Sequence, residues 1–144
     1  MANKLILLVE DNPDDEALAL RALKKNDIQG EVVVVRDGVE ALDYLFCTGT
    51  FSDRDINVMP DLVLLDLILP CMNGVEFLKI VRGRPEFNHI PVVICSSVVE
   101  TKEIREVMSG WIHGYLVKPI NKEKLLEKLL AALHGIAVRV DYQY

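Results

Sequence analysis

Leu62-Val63-Leu64-Leu65-Asp66 sets four consecutive branched or aliphatic residues directly before an acid. A run this short, apolar on both alternating faces, fits a strand buried between two layers of helices, which is the environment of a parallel sheet. Working outward, the same pattern recurs. Lys4 to Val9 runs into Glu10-Asp11, and Tyr115 to Val117 runs into Lys118. Further strand patterns lie at Glu31 to Arg36 and Val92 to Ser96.

Helical patterns fill the intervals. Asn12 suits an N-cap, Pro13 the first helical position, Asp14, Asp15 and Glu16 the positive end of the helix dipole, and Lys24-Lys25 the last turn, so a helix is predicted over 13–27. Gly38 to Phe46, Val75 to Arg82 and Lys122 to Leu133 read as helices, with a weaker pattern over Glu100 to Met108. Strands alternating with helices imply right-handed crossovers. The expected fold is therefore α/β: a doubly wound five-stranded parallel sheet in the flavodoxin-like order 2-1-3-4-5, with helices on both faces.

The length of 144 residues fits one domain, 1–144, with a core over about 4–134 and a tail at 135–144. A net charge of -6 without a Lys/Arg-rich block argues against nucleic-acid binding, which needs clustered cations. No apolar run approaches the roughly 20 residues of a membrane span, and no charged leader precedes Leu5, so no membrane association and a cytoplasmic setting are expected. Cys47, Cys71 and Cys95, 24 residues apart at each step, fit neither a metal motif nor a disulfide framework.

In sheets of this kind ligands sit beyond the carboxyl ends of the strands, so the acids after the strands and Lys118 belong to one edge. Three carboxylates there repel one another, and a divalent cation relieves that repulsion. Mg²⁺ suits a few carboxylate oxygens and leaves positions for water or phosphate oxygens. Asp11 and Asp66 are the direct candidates, with Glu10 direct or through water. Asp66, after the most uniformly apolar strand, is the candidate nucleophile that would form an acyl phosphate. Lys118 would set a point charge on the phosphoryl oxygens, and Ser96 would donate a hydroxyl hydrogen bond. Each residue has a plainer reading: Glu10-Asp11 as the entry to a helix, Lys118 as a solvated loop charge, Ser96 or Ser97 as a cap. Their joint occurrence at four strand ends favours the site.

The stretches VEDNPDD (Val9 to Asp15), DGVEAL (Asp37 to Leu42), DLVLLDLILPCMNG (Asp61 to Gly74), PVVICSS (Pro91 to Ser97) and GYLVKP (Gly114 to Pro119) together resemble the receiver domain of two-component response regulators. The resemblance implies that Asp66 accepts phosphate from a histidine kinase or a histidine phosphotransfer protein. It also implies Mg²⁺ held by Glu10, Asp11, Asp66 and the backbone carbonyl of Ile68. Ser96 would hydrogen-bond the phosphoryl group and move toward it, Lys118 would pair with it, and Tyr115 would swing inward as the coupled aromatic. Pro119 stands where such domains carry a cis peptide. The output surface would be the helix before the fifth strand, that strand, and the last helix. VEALDYLFCTGTF and the long loop after it look like the small stand-alone regulators that partner phytochrome-type kinases.

Several features set this chain apart. Trp111-Ile112 replace a small pair common in receivers, which bears on packing before the fifth strand. Ile68 and Val98 are apolar and cannot activate an attacking water, so slow loss of phosphate is expected. Gly49 to Pro60 is longer than the usual roughly 2 to 6 residue connection and reads as a surface insertion rather than a functional loop. In the tail, Ile136, Val138, Val140 and Tyr142 alternate with polar or small residues, which suits a strand added to a sheet edge or an arm reaching a second subunit of a homodimer, with a frayed, disordered terminus as the alternative. His89, His113 and His134 are scattered and read as surface or loop residues, and Cys71 as a loop cysteine. A phosphatase of the haloacid dehalogenase type would need an acid where Ile68 stands. A flavodoxin would need a hydroxyl- and glycine-rich loop where EDNPDDE stands, and a pseudo-receiver would not keep the full acid, serine and lysine set.

Overall fold

The computed structural model describes residues 4–25, 30–97, 102, 106, 108, 110–119, 121–133 and 142–143. Five strands run in parallel, β1 (Lys4–Val9), β2 (Gly30–Val35), β3 (Leu62–Leu65), β4 (Val92–Ser96) and β5 (Gly114–Val117). They are ordered β2-β1-β3-β4-β5, as the sequence predicts, and a two-residue β6 (Tyr142–Gln143) pairs parallel to β5 as a sixth strand. The other tail residues, 134–141 and 144, lie outside the described set, and with them the rest of the stretch whose alternation was read from the sequence. The helices are α1 (Pro13–Lys25), α2 (Gly38–Phe46), α3 (Gly74–Arg82) and a last helix, Lys122–Leu133. Of the weaker helical pattern, Lys102, Glu106 and Met108 are helical and the rest lies outside the described residues.

The pleat sorts the strand side chains into two cores. Leu7, Val9, Val63, Leu65, Val92, Ile94 and Tyr115 pack with α2 and α3 through Leu45, Phe77 and Leu78. Their neighbours Ile6, Leu8, Leu62, Leu64, Val93, Cys95 and Leu116 face the other way, against Ala19, Ala22 and Leu23 of α1 and Leu125, Leu129 and Ala132 of the last helix. All four residues of β3 are buried, which is why that strand reads as an unbroken apolar run.

Local chemistry fixes the helix starts. Asn12 Oδ1 accepts from the Asp14 and Asp15 N–H groups at 2.8 and 3.2 Å. Asp37 caps α2 by accepting from Glu40 N–H at 2.8 Å, and Glu40 reaches back to Arg36 N–H at 2.9 Å, a reciprocal pair close to a capping box. Asn73 caps α3 through Glu76 N–H at 2.9 Å. Gly74 is required there: a Cβ would lie 2.5 Å from the Asp66 carbonyl oxygen, so only glycine lets α3 start this close to β3.

The Gly49–Pro60 stretch is ordered on α2. It contains a 3₁₀ turn, Gly49–Phe51, with Phe51 edge-on to Tyr44 at 5.0 Å between ring centroids. The Arg54 guanidinium lies 3.7 Å over the Tyr44 ring and donates to the carbonyls of Tyr44 (2.7 Å) and Val58 (2.6 Å) and to Cys47 Sγ (3.0 Å). A second arginine resolves the packing before β5. Ile112 is buried in the core and Trp111 packs against it, while Arg82 donates to the Trp111 carbonyl from Nε (2.9 Å) and Nη2 (2.6 Å) and to those of Asn88 (3.0 Å) and Ile90 (2.9 Å). Backbone oxygens on both sides of β4 thus converge on one guanidinium, whose pKa burial lowers.

Candidate functional site

Strand alternation carries past the last hydrogen-bonded residue and decides which groups meet. Continuing Ile6-Leu8, Leu62-Leu64 and Leu116 by two residues gives Glu10, Asp66 and Lys118, all on the α1 face. Lys118 Nζ accordingly donates to Glu10 Oε1 at 2.5 Å and Asp66 Oδ2 at 2.8 Å. It also donates to Asp15 Oδ2 at 2.7 Å. From sequence Asp15 reads as an acid for the helix dipole. Only the packing of α1 on this face brings it to the lysine, although its position in the first turn of a helix that follows an acidic strand end was an available signal.

Glu10, Asp11 and Asp66 offer carboxylate oxygens that lie within 4.8 Å of one another. Glu10 and Asp66 are buried, whereas Asp11 is exposed. Asp66 Oδ1 accepts from Ile68 N–H at 3.0 Å, and Asp66 N–H donates to the Val9 carbonyl at 3.1 Å, tying the acid to β1. The Ile68 side chain is exposed.

The electrostatics show a site short of positive charge. Burial, then the hydrogen bond with Asp66, pushes Glu10 up to about 8 against the opposing pull of Lys118. Burial works against the Lys118 ammonium, but the hydrogen bonds it donates to Asp15, Asp66 and Glu10 outweigh that and raise its pKa. One lysine shared by three acids does not complete the set, because Glu10 Oε2 is buried and has no hydrogen-bond partner among the described residues. An orphaned carboxylate oxygen in a triad of oxygen donors fits a hard divalent cation such as Mg²⁺. Beneath the cluster, a cavity of about 10 Å³ lined by Glu10, Asp15, Asp66, Ala19 and Cys95 has room for roughly one water. Burial pushes the Cys95 thiol up to about 12, so this cysteine next to the acids stays protonated and inert.

Ser96 and Tyr115 fall on the other face. Both are fully buried, Tyr115 within the α2 and α3 core cluster that also includes Met108 and Ile112. The link to the acids is through the backbone: Lys118 N–H donates to the Ser96 carbonyl at 2.8 Å, and the Lys118-Pro119 peptide is cis, as the resemblance implied. His113 is half-buried, its N–H donates to the Val92 carbonyl at 2.7 Å and its Nδ1 accepts from Val92 N–H at 3.3 Å, so it closes the start of β4 rather than standing in solvent. Cys71 is exposed in the loop after Asp66, with a positive φ of 66°. Among the described residues, no helix is long and apolar enough to cross a membrane.

A parallel sheet in this order, with acids around a lysine at its carboxyl edge, matches a known class. The chain belongs to the response regulator receiver domain family, whose sequence profile matches residues 6–130. Phosphorylation on aspartate and a divalent-cation site are general to that family of two-component signalling domains. Among its relatives are phytochrome response regulators. Over 124 residues the chain is 32% identical to response regulator Rcp1 of Synechocystis sp., covering 86% of this chain and 82% of that protein. The Mn²⁺-bound form of Rcp1 superposes with a TM-score of 0.76 at 29% identity, covering 96% of this chain and 99% of that one. The bacteriophytochrome response regulator RtBRR aligns with a TM-score of 0.83 and 39% identity over 99% of this chain and 84% of that one. Phosphorylated RcpA, a cyanobacterial phytochrome response regulator, gives 0.75 and 36% over 90% and 92%.

Proposed function

We propose that this chain is a phosphorylation-controlled signalling switch in which Asp66 is the phosphoacceptor. The observation that supports it most is the convergence of the Glu10, Asp11 and Asp66 oxygens beside a lysine 2.8 Å from Asp66. An Asp66 oxygen attacks the phosphorus of a phosphohistidine or acyl phosphate. The new O–P bond forms as the donor's bond to phosphorus breaks, and the leaving imidazole or carboxylate keeps the electron pair. Glu10, Asp11, Asp66 and the Ile68 carbonyl would hold Mg²⁺, which supplies charge neutralisation at the phosphoryl oxygens. Lys118 carries the remaining positive charge to the phosphoryl group, and Ser96 and Tyr115 bias a two-state equilibrium read by a partner protein.

The chain acts by protein contact in the cytoplasm rather than by turnover, catalysing only its own phosphorylation and dephosphorylation. Its donor is a sensor histidine kinase or a histidine phosphotransfer protein, and the names of its relatives make a phytochrome-type kinase the first to test. Ile68, exposed and apolar, leaves nothing at that position to activate water, so the acyl phosphate decays slowly; Val98 lies outside the described residues. Pairing of β6 with β5 favours the tail, residues 135–144, as part of the interaction surface, including contact with a second copy of the chain. The test of the central reading is incubation with Mg²⁺ and acetyl phosphate, with the modified residue mapped by mass spectrometry. Label is expected on Asp66 and absent in Asp66→Asn; a native chain that never takes label, or a variant that keeps it, overturns the reading.

A further inference from the structure

Asp15 stands apart from the acid triad, since it follows Asn12-Pro13 into the first turn of α1 and is not among the converging oxygens. It nevertheless makes a 2.7 Å bond to Lys118 Nζ. Its side chain is 24% and that of Lys118 11% exposed, so this is a partly sheltered pair rather than a screened surface contact. The Asn12 cap fixes its backbone: the Asp15 N–H is held by Asn12 Oδ1 at 3.2 Å, which aims the carboxylate across the sheet edge.

An ammonium has three N–H donors, and here each faces one acid, Glu10, Asp15 and Asp66. Two of those acids belong to the set that fits a divalent cation. A cation drawing on their oxygens also repels the ammonium next to it. Of the three partners, Asp15 alone stands outside that set, so its bond to Lys118 does not compete with a cation. We propose that Asp15 is a positioning residue for phosphorylation: it holds the Lys118 ammonium at the strand edge while Glu10 and Asp66 turn to the cation, so that the freed donors meet the incoming phosphoryl oxygens. The inference rests on the reading of Asp66 as phosphoacceptor.

Two readouts test it. In the first, autophosphorylation by acetyl phosphate with Mg²⁺ is followed for the native chain, Asp15→Asn and Asp15→Glu, in Lys118 and Lys118→Gln backgrounds. Asp15→Asn is expected to slow the limiting rate about tenfold, the size of one charge-assisted hydrogen bond, with Asp15→Glu recovering part of it and no further loss in the Lys118→Gln background. Equal rates, or the same loss without Lys118, would overturn the proposal. The second readout needs no phosphate: the side-chain ammonium signal of Lys118 in ¹H–¹⁵N spectra should persist when Mg²⁺ is added to the native chain and broaden in Asp15→Asn. A native signal that Mg²⁺ abolishes also overturns it. Failure of the native chain to take label strikes the phosphoacceptor reading, while the ammonium signal still decides the role of Asp15.

Discussion

At the carboxyl edge of the sheet, the face beneath α1 and the face beneath α2 and α3 hold opposite kinds of chemistry. The first collects Glu10, Asp15, Asp66 and Lys118, three acids around one cation. The second holds Ser96 and Tyr115, both uncharged and fully buried, with Tyr115 in the apolar cluster. The contrast teaches a division of labour. Charge concentrated on one face leaves Glu10 raised to about 8 and one of its oxygens orphaned, a site whose energy falls when positive charge arrives. A neutral, close-packed face has few ways to rearrange, so in the proposed switch it would respond in discrete steps. A short stretch of backbone joins the two, since Tyr115 and Lys118 are three residues apart and Lys118 N–H donates to the Ser96 carbonyl.

Removing the cation of the charged face should produce the largest change. In Lys118→Gln, the limiting rate of labelling by acetyl phosphate is expected to fall on the order of a hundredfold, the loss typical of one preorganised electrostatic group. A rate within a factor of two of the native one would show that the acids need no lysine, and the contrast between the faces would lose its meaning.

The neutral face is broken by Tyr115→Ala. Deleting a fully buried ring costs about 3–5 kcal/mol of stability, measurable in urea, while labelling of Asp66 continues. Hydrogen exchange over residues 110–117 should change on phosphorylation in the native chain and not in this variant. If labelling itself stops in a variant that remains folded, chemistry and response are not divided between the faces.

The smallest effect follows from Glu10. Its pKa rises from an ordinary 4.5 to about 8 on folding, so the folded chain holds this proton more tightly than the unfolded one. The resulting contribution to stability is complete below about pH 4.5 and disappears as the pH rises through 8. A Mg²⁺ ion held by Glu10 would compete with the same proton. Its affinity, followed by calorimetry, should climb with pH by at most about tenfold per unit up to about pH 8 and then level off. Glu10→Gln should flatten that slope; an unchanged slope would place the titrating group elsewhere.

Much of this was legible in the chain, because the deciding signals are local. The apolar run of Leu62 to Leu65 requires burial on both faces, Asn12, Asp37 and Asn73 satisfy N–H groups one turn away, and Asp66 and Lys118 announce themselves by following strands. The sequence also supplied the alternation that puts Glu10, Asp66 and Lys118 on one face, since it depends only on the pleat. Three things required the folded chain. Asp15 reaches Lys118 because α1 packs across the face that the lysine shares, a contact between residues 103 apart in sequence. Arg82 gathers carbonyls from both sides of β4, and no local pattern marks a guanidinium for backbone oxygens it meets only after docking. The partners of Glu10 depended on tertiary structure most of all, because desolvation is a property of what surrounds a group once the layers close, and no residue type states it in advance.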